Sequence, residues 1–150
     1  MKPEDIFAHW KLVRRGLIEI VEKFQEEDLH FSPFESAWSV GEILLHIANA
    51  EQGWFRYAVT GEFDAWPGGH TLEHYPTFES IKSLLTDVHD WTESYISRMS
   101  LEDYQRVVDL PWDEQIHLGW IIWHVLEHEI HHRGELSLIL GILGREGLDV

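Results

Sequence analysis

Residues 116–143 read IHLGWIIWHVLEHEIHHRGELSLILGIL, and the reading of this stretch decides the fold. An α-helix turns about 100° per residue, so the direction each side chain faces follows from its position. Ile121, Val125, Ile139 and Leu143 fall within about 40° of one line on such a helix. His128 and His132 fall within about 20° of the same line, in the middle of the stripe expected to face a core. Spacing and length, with Gly141 and Gly144 closing the run, predict one helix from about Ile116 to Leu143. Charge and histidine interrupt it too often for a membrane span, which needs roughly 18 to 20 apolar residues.

Three more helices are expected upstream. The first runs from Pro3 to Glu26, with Ile6, Trp10, Val13, Leu17, Ile20 and Phe24 alternating at spacings of four and three. Ser32-Pro33-Phe34-Glu35-Ser36-Ala37-Trp38 breaks that seam. The second opens on Ser39-Val40-Gly41-Glu42, a capping box, and continues through Ile43, Leu44, Ile47, Trp54 and Ala58 to Gly61. Gly61 to Pro76 reads as loop around Pro67-Gly68-Gly69. The third starts near Thr77 and carries Phe78, Ile81, Leu84, Leu85, Val88, Trp91, Tyr95 and Met99. Leu101 to Gln115 is a long connection in which Arg106-Val107-Val108 forms a short extended piece. The expectation is an all-α four-helix bundle with long crossover connections, one domain over residues 1–150.

Composition narrows the function. Eleven Lys and Arg against 27 Asp and Glu give a formal charge of −16 with no basic stripe, which disfavours nucleic acid and anionic membranes. Met1-Lys2-Pro3-Glu4-Asp5 lacks the basic-then-apolar layout of a signal peptide, so a cytoplasmic location is expected. Without cysteine, any metal must sit on nitrogen and oxygen. Eleven histidines then ask for an explanation.

A single histidine on an apolar face is usually a core residue with satisfied nitrogens. Two of them, one turn apart, need partners for four ring nitrogens, and a shared metal ion answers for one on each ring. A third ligand is expected from another helix, and His46 flanks the apolar arc of Ile43, Ile47 and Ala50 at its edge. His124 stands one turn before His128 as an alternative ligand or an outer donor. His131 lies further round, His9 is beside the first seam, and His30, His70, His74, His89 and His117 are assigned to loops or exposed faces. Glu51 lies near the centre of its helix's apolar arc. It is either buried, orienting a histidine or pairing with Arg133, or wetted by a rotated helix. Glu129 is a second acid–base candidate, although its angle also fits a solvated edge. Trp120 and Trp123 are candidate pocket walls, and Gly134 within a helix points to a close helix approach.

His128-Glu129-Ile130-His131-His132 also matches the H-E-x-x-H pattern of zinc proteases. The context does not: positions 135 and 138 hold Glu135 and Leu138, and no sheet precedes the motif to hold a peptide. The ferritin-like di-metal pattern fails as well, because only one E-x-x-H copy, Glu129 and His132, lies well inside a core helix. What the chain resembles is the DinB-like (DinB/YfiT) family. The likeness is carried by His128-Glu129-Ile130-His131-His132-Arg133-Gly134-Glu135 together with Ser39-Val40-Gly41-Glu42-Ile43-Leu44-Leu45-His46-Ile47, with Trp10 and Pro33 in support. The resemblance implies a four-helix bundle, often a homodimer. It also implies a divalent metal, commonly zinc or nickel, on His46, His128 and His132. Glu135 stands where glutamine is common.

Three function classes follow. The first is a metal-dependent enzyme, either a thiol S-transferase using a low-molecular-weight thiol or a small-molecule hydrolase, with a thiol or water as nucleophile. The second is a non-catalytic metal or ligand binder. The third is a protein-interaction bundle in which the metal is structural.

Overall fold

In the computed structural model, which describes residues 2–149, the first apolar seam is not one unbroken helix. Pro3–Ile6 forms a single turn (α1), the chain turns again over residues 7–9, and α2 runs Trp10–Lys23. The break drops Phe7 into the core, edge-on to Trp123 with ring centroids 5.1 Å apart. The helix ends before the expected Glu26 because Phe24 adopts an extended backbone and stacks on Phe78, ring centroids 5.8 Å apart. The Asp28 carboxylate then accepts from the Gln25 amide at 2.7 Å and starts a 3₁₀ turn over Glu26–His30.

The expected capping box opens α3 (Val40–Gln52). Ser39 Oγ accepts from the Glu42 amide at 3.3 Å, and the Glu42 carboxylate accepts from the Ser39 amide at 2.7 Å. Past Gln52 the helix widens to π geometry over Gly53–Val59. A Cβ on Gly53 would lie 2.4 Å from the Trp66 ring, so the missing side chain is what lets Trp66 pack there. Thr77 caps α4 (Phe78–Ser97) through the Ser80 amide at 3.1 Å.

The long connection is more ordered than its sequence implies. A short helix, α5 (Leu101–Gln105), leads into a two-stranded hairpin in which β1 (Val107–Asp109) pairs antiparallel with β2 (Gln115–His117). The extended piece expected around Val107 and Val108 is therefore present. Its partner takes the residues assigned to the start of the last helix, and α6 runs Leu118–Ile142.

The four long helices pack in a square, with α6 and α4 each touching both α2 and α3. This is the all-α four-helix bundle with long crossovers read from the sequence. Its core is divided in two. One apolar cluster holds Leu17, Leu44, Leu85 and Leu136, and the other holds Val13, Phe55, Ile96 and Ile122. Along every long helix the switch between clusters falls at a charged or polar residue: Arg14, Glu51, His89 and Glu129. Among the described residues, no helix is long and apolar enough to cross a membrane.

Candidate metal centre

His46 projects from α3, and His128 and His132 project from α6, which packs against it. One ring nitrogen from each lies within 4.8 Å of the others. The Nε2 atoms of His46 and His128 are 2.9 Å apart, and their ring centroids 4.7 Å. The His132 centroid stands 4.9 Å from that of His46 and 4.5 Å from that of His128. Trp38, from the segment before α3, lies over the group with its ring 4.5 Å from His46 and 6.3 Å from His132.

Burial and crowding depress the basicity of two of the rings. Burial, followed by the neighbouring His132, holds His46 below the ordinary histidine value. The same causes, with His46 added, push His128 down to about 3. The His132 Nδ1–H donates to the Glu135 carboxylate at 2.7 Å, which leaves Nε2 as the ring nitrogen without that partner. Three imidazoles at this spacing suit a divalent ion that accepts nitrogen ligands. A cavity of about 260 Å³ opens beside His46, walled by Trp38, Leu45, Asn49 and Leu72. Among the described residues, the buried Oδ1 of Asn49 has no hydrogen-bond partner.

The DinB superfamily model matches residues 9–136. The chain belongs to the DinB superfamily. Among relatives of this DinB-superfamily chain, YizA of Bacillus subtilis is 30% identical over 101 residues, covering 63% of this chain and 58% of YizA. YjoA of the same organism is 23% identical over 145 residues, covering 95% and 92%. The crystal structure of the DinB-like YjoA superposes with a TM-score of 0.77 at 19% identity, covering 97% of this chain and 96% of that one. A DinB-like protein from Bacillus cereus gives 0.74 at 15% identity, covering 98% and 96%. YfiT from Bacillus subtilis, described as a probable metal-dependent hydrolase with an unusual four-helix bundle topology, gives 0.63 at 20% identity, covering 93% and 87%.

Several expectations for this DinB-superfamily chain need correction. Glu129 is not at a solvated edge; it is 2% exposed and occupies the centre of the core-facing stripe that the helical wheel gave to the histidines. Because α6 packs against both α2 and α3, its buried arc is wide, and His128 and His132 lie on its α3 side. Glu51 is buried as one reading had it, yet its partners are Arg14 at 2.5 Å and His89 at 2.9 Å rather than Arg133 or a histidine of the cluster. His89, assigned to loops or exposed faces, is buried. Gly134 faces open space, so no close helix approach explains it. His124 stacks flat on Trp120 with centroids 4.9 Å apart, and both Trp120 and Trp123 are half exposed.

The layer that splits the core was legible in part. Arg14 falls on the seam of Trp10, Val13 and Leu17, and His89 follows Leu85 by one turn, so both were placed to be inward-facing. The Arg14 guanidinium donates to Glu51 at 2.5 Å, to Glu129 at 2.8 Å and to the Leu85 carbonyl at 3.3 Å. The Trp10 indole also donates to Glu129, at 2.7 Å. Burial opposes the ionisation of Glu51, but Arg14 and the His89 hydrogen bond outweigh it and hold its carboxyl below the usual range. For Glu129 burial wins, aided by the Glu51 charge, and the carboxyl is pushed up. Glu51, His89 and Glu129 are close enough to hold a metal, but Arg14 already supplies their cation. His131, His132 and Glu135 form another such group, with His131 exposed.

Proposed function

We propose that this protein binds a divalent metal ion through His46, His128 and His132 and acts on a small molecule, as a hydrolase or a thiol S-transferase. One observation carries the reading: two packed helices bring three imidazole nitrogens within 4.8 Å, two of the rings with depressed basicity. Zinc and nickel both suit a nitrogen donor set. Three protein ligands leave a coordination position open, and a divalent ion there supplies the Lewis acidity that makes a water or a thiol nucleophilic near neutral pH. The cavity walled by Trp38 gives a small substrate room beside His46. The description of YfiT as a probable metal-dependent hydrolase supports the hydrolytic branch. Glu51 and Glu129, the acid–base candidates of the sequence, are tied to Arg14 in the core and are assigned here to holding the helices in register.

Metal analysis of protein purified without a histidine tag tests the site. The expected result is about one divalent ion per chain, absent from His128→Ala and His132→Ala while helical circular dichroism is kept. Full occupancy in both variants overturns the assignment. A screen of thiol-plus-electrophile pairs and of small esters and amides then separates the two reactions. Chelation that unfolds the protein, with no turnover of any pair, would instead make the metal a staple between α3 and α6.

A homodimer is proposed as well. Trp123, Ile130 and Leu138 are exposed and fall within about 80° of one another on α6. A second copy covering that stripe would remove it from water. Light scattering on the eluting protein should give twice the 17.7 kDa chain mass.

A further inference from the structure

A second cavity, of about 290 Å³, lies away from the histidine cluster, between the turn that joins α1 to α2 and the C-terminal half of α4. Its apolar wall includes Trp10 and Ile96, and its acidic side is made by Glu4, Asp5 and Glu93. His89 also lines it and is only 5% exposed. In the tautomer that carries its proton on Nδ1, His89 donates to Glu51 and keeps a lone pair on Nε2. Among the described residues no protein atom hydrogen-bonds that Nε2. Glu93 Oε1 stands 3.7 Å from it. In that tautomer the two acceptors cannot bond to each other, yet one ammonium group can donate to both at ordinary lengths.

We propose that this cavity binds a small primary ammonium ion carrying an apolar group. Its nitrogen is held between His89 Nε2 and Glu93, and its body lies against Trp10 and Ile96. The carboxylate behind His89 supports this: Glu51 fixes both the tautomer and the orientation of the ring, which makes Nε2 a built acceptor. The Trp10 ring lies against His89, centroids 5.1 Å apart, and an aromatic wall stabilises a desolvated cation further. A negatively charged rim on a chain of formal charge −16 favours the approach of a cation and disfavours an anion. Among the described residues Lys11 is the one cation of the lining, and it reaches Glu93 only at 4.0 Å from a largely exposed position, so a ligand can displace it. A metal ion fits less well, because among the described residues His89 and Glu93 belong to no group of three ligand atoms that includes the rim acids.

The test is a nuclear magnetic resonance titration of the full chain with 2-phenylethylammonium, using neutral 2-phenylethanol as the comparison. Saturable one-to-one binding is expected, with shifts at the Trp10 indole and Ile96, at least tenfold tighter than the alcohol. Glu93→Gln, a part-exposed change that leaves the core intact, should weaken binding at least fivefold, and His46→Ala should not alter it. Equal binding of the alcohol, undiminished affinity in Glu93→Gln, loss of binding in His46→Ala, or failure to saturate would each overturn the proposal. Because His46→Ala removes the proposed metal centre, the two sites stand or fall separately.

Discussion

Arg14 touches the other three long helices at one level, through Glu51 on α3, Leu85 on α4 and Glu129 on α6. Removing one member of such a network leaves buried charge uncompensated, at a cost of about 3–5 kcal/mol. Arg14→Leu strands two carboxylates and should lower the urea midpoint by that order. Glu129→Gln keeps an acceptor for the Trp10 indole and should cost less. Equal losses in the two variants would show that the guanidinium is not the hub. The histidines predict a pH effect. His46 and His128 are held below the ordinary value of 6.5, His128 to about 3. As pH falls through 6.5 the unfolded chain takes up protons that the folded rings refuse, so the stability of the metal-free protein declines from there towards pH 3. Urea midpoints between pH 7 and 5 should fall, and His128→Asn should flatten the slope.

At the scale of elements, glycines separate helices that pack closely from those that do not. A Cβ at Gly119 would lie 2.5 Å from the Tyr104 ring, so Gly119→Ala must displace that ring from the start of α6 and should destabilise by about 1–3 kcal/mol. A Cβ at Gly134 meets nothing within 4 Å, in the interior of α6. Gly134→Ala should therefore stabilise by about 1 kcal/mol through helix propensity alone. Thermal denaturation of the two variants checks both signs. Ser39→Ala removes the cap of α3 and should cost about 1 kcal/mol. These starts were readable because a cap is local chemistry between residues three apart. The break after Ile6, the π-helical stretch and the β1–β2 pairing were not, because each is set by a distant partner: Trp123 for Phe7, Trp66 for Gly53, and residues 115–117 for residues 107–109.

For the whole molecule, apolar side chains from all four long helices pack together in the core, and two of the three histidines, His46 and His128, are only half-buried. Metal should then act as a ligand of an already folded protein. Chelation is expected to leave the helical signal in place, and excess metal at 100 times its dissociation constant should restore about 2.7 kcal/mol of stability. A melting temperature independent of metal concentration would contradict binding to the folded state.

The apolar periodicity, the capping box and the absence of cysteine were enough to determine four helices, a bundle and a nitrogen-and-oxygen chemistry, because these depend on residues a turn or less apart or on composition alone. The pairing of His128 with His132 was legible for the same reason. Tertiary packing decided the rest. A helical wheel gives angles within one helix and no zero against its neighbours, so only the placement of α6 against both α2 and α3 turned Glu129 to the core and the histidines towards His46. The same placement set Arg14, Glu51, His89 and Glu129 at one height, a coincidence of four separate helices that no single stretch of chain encodes.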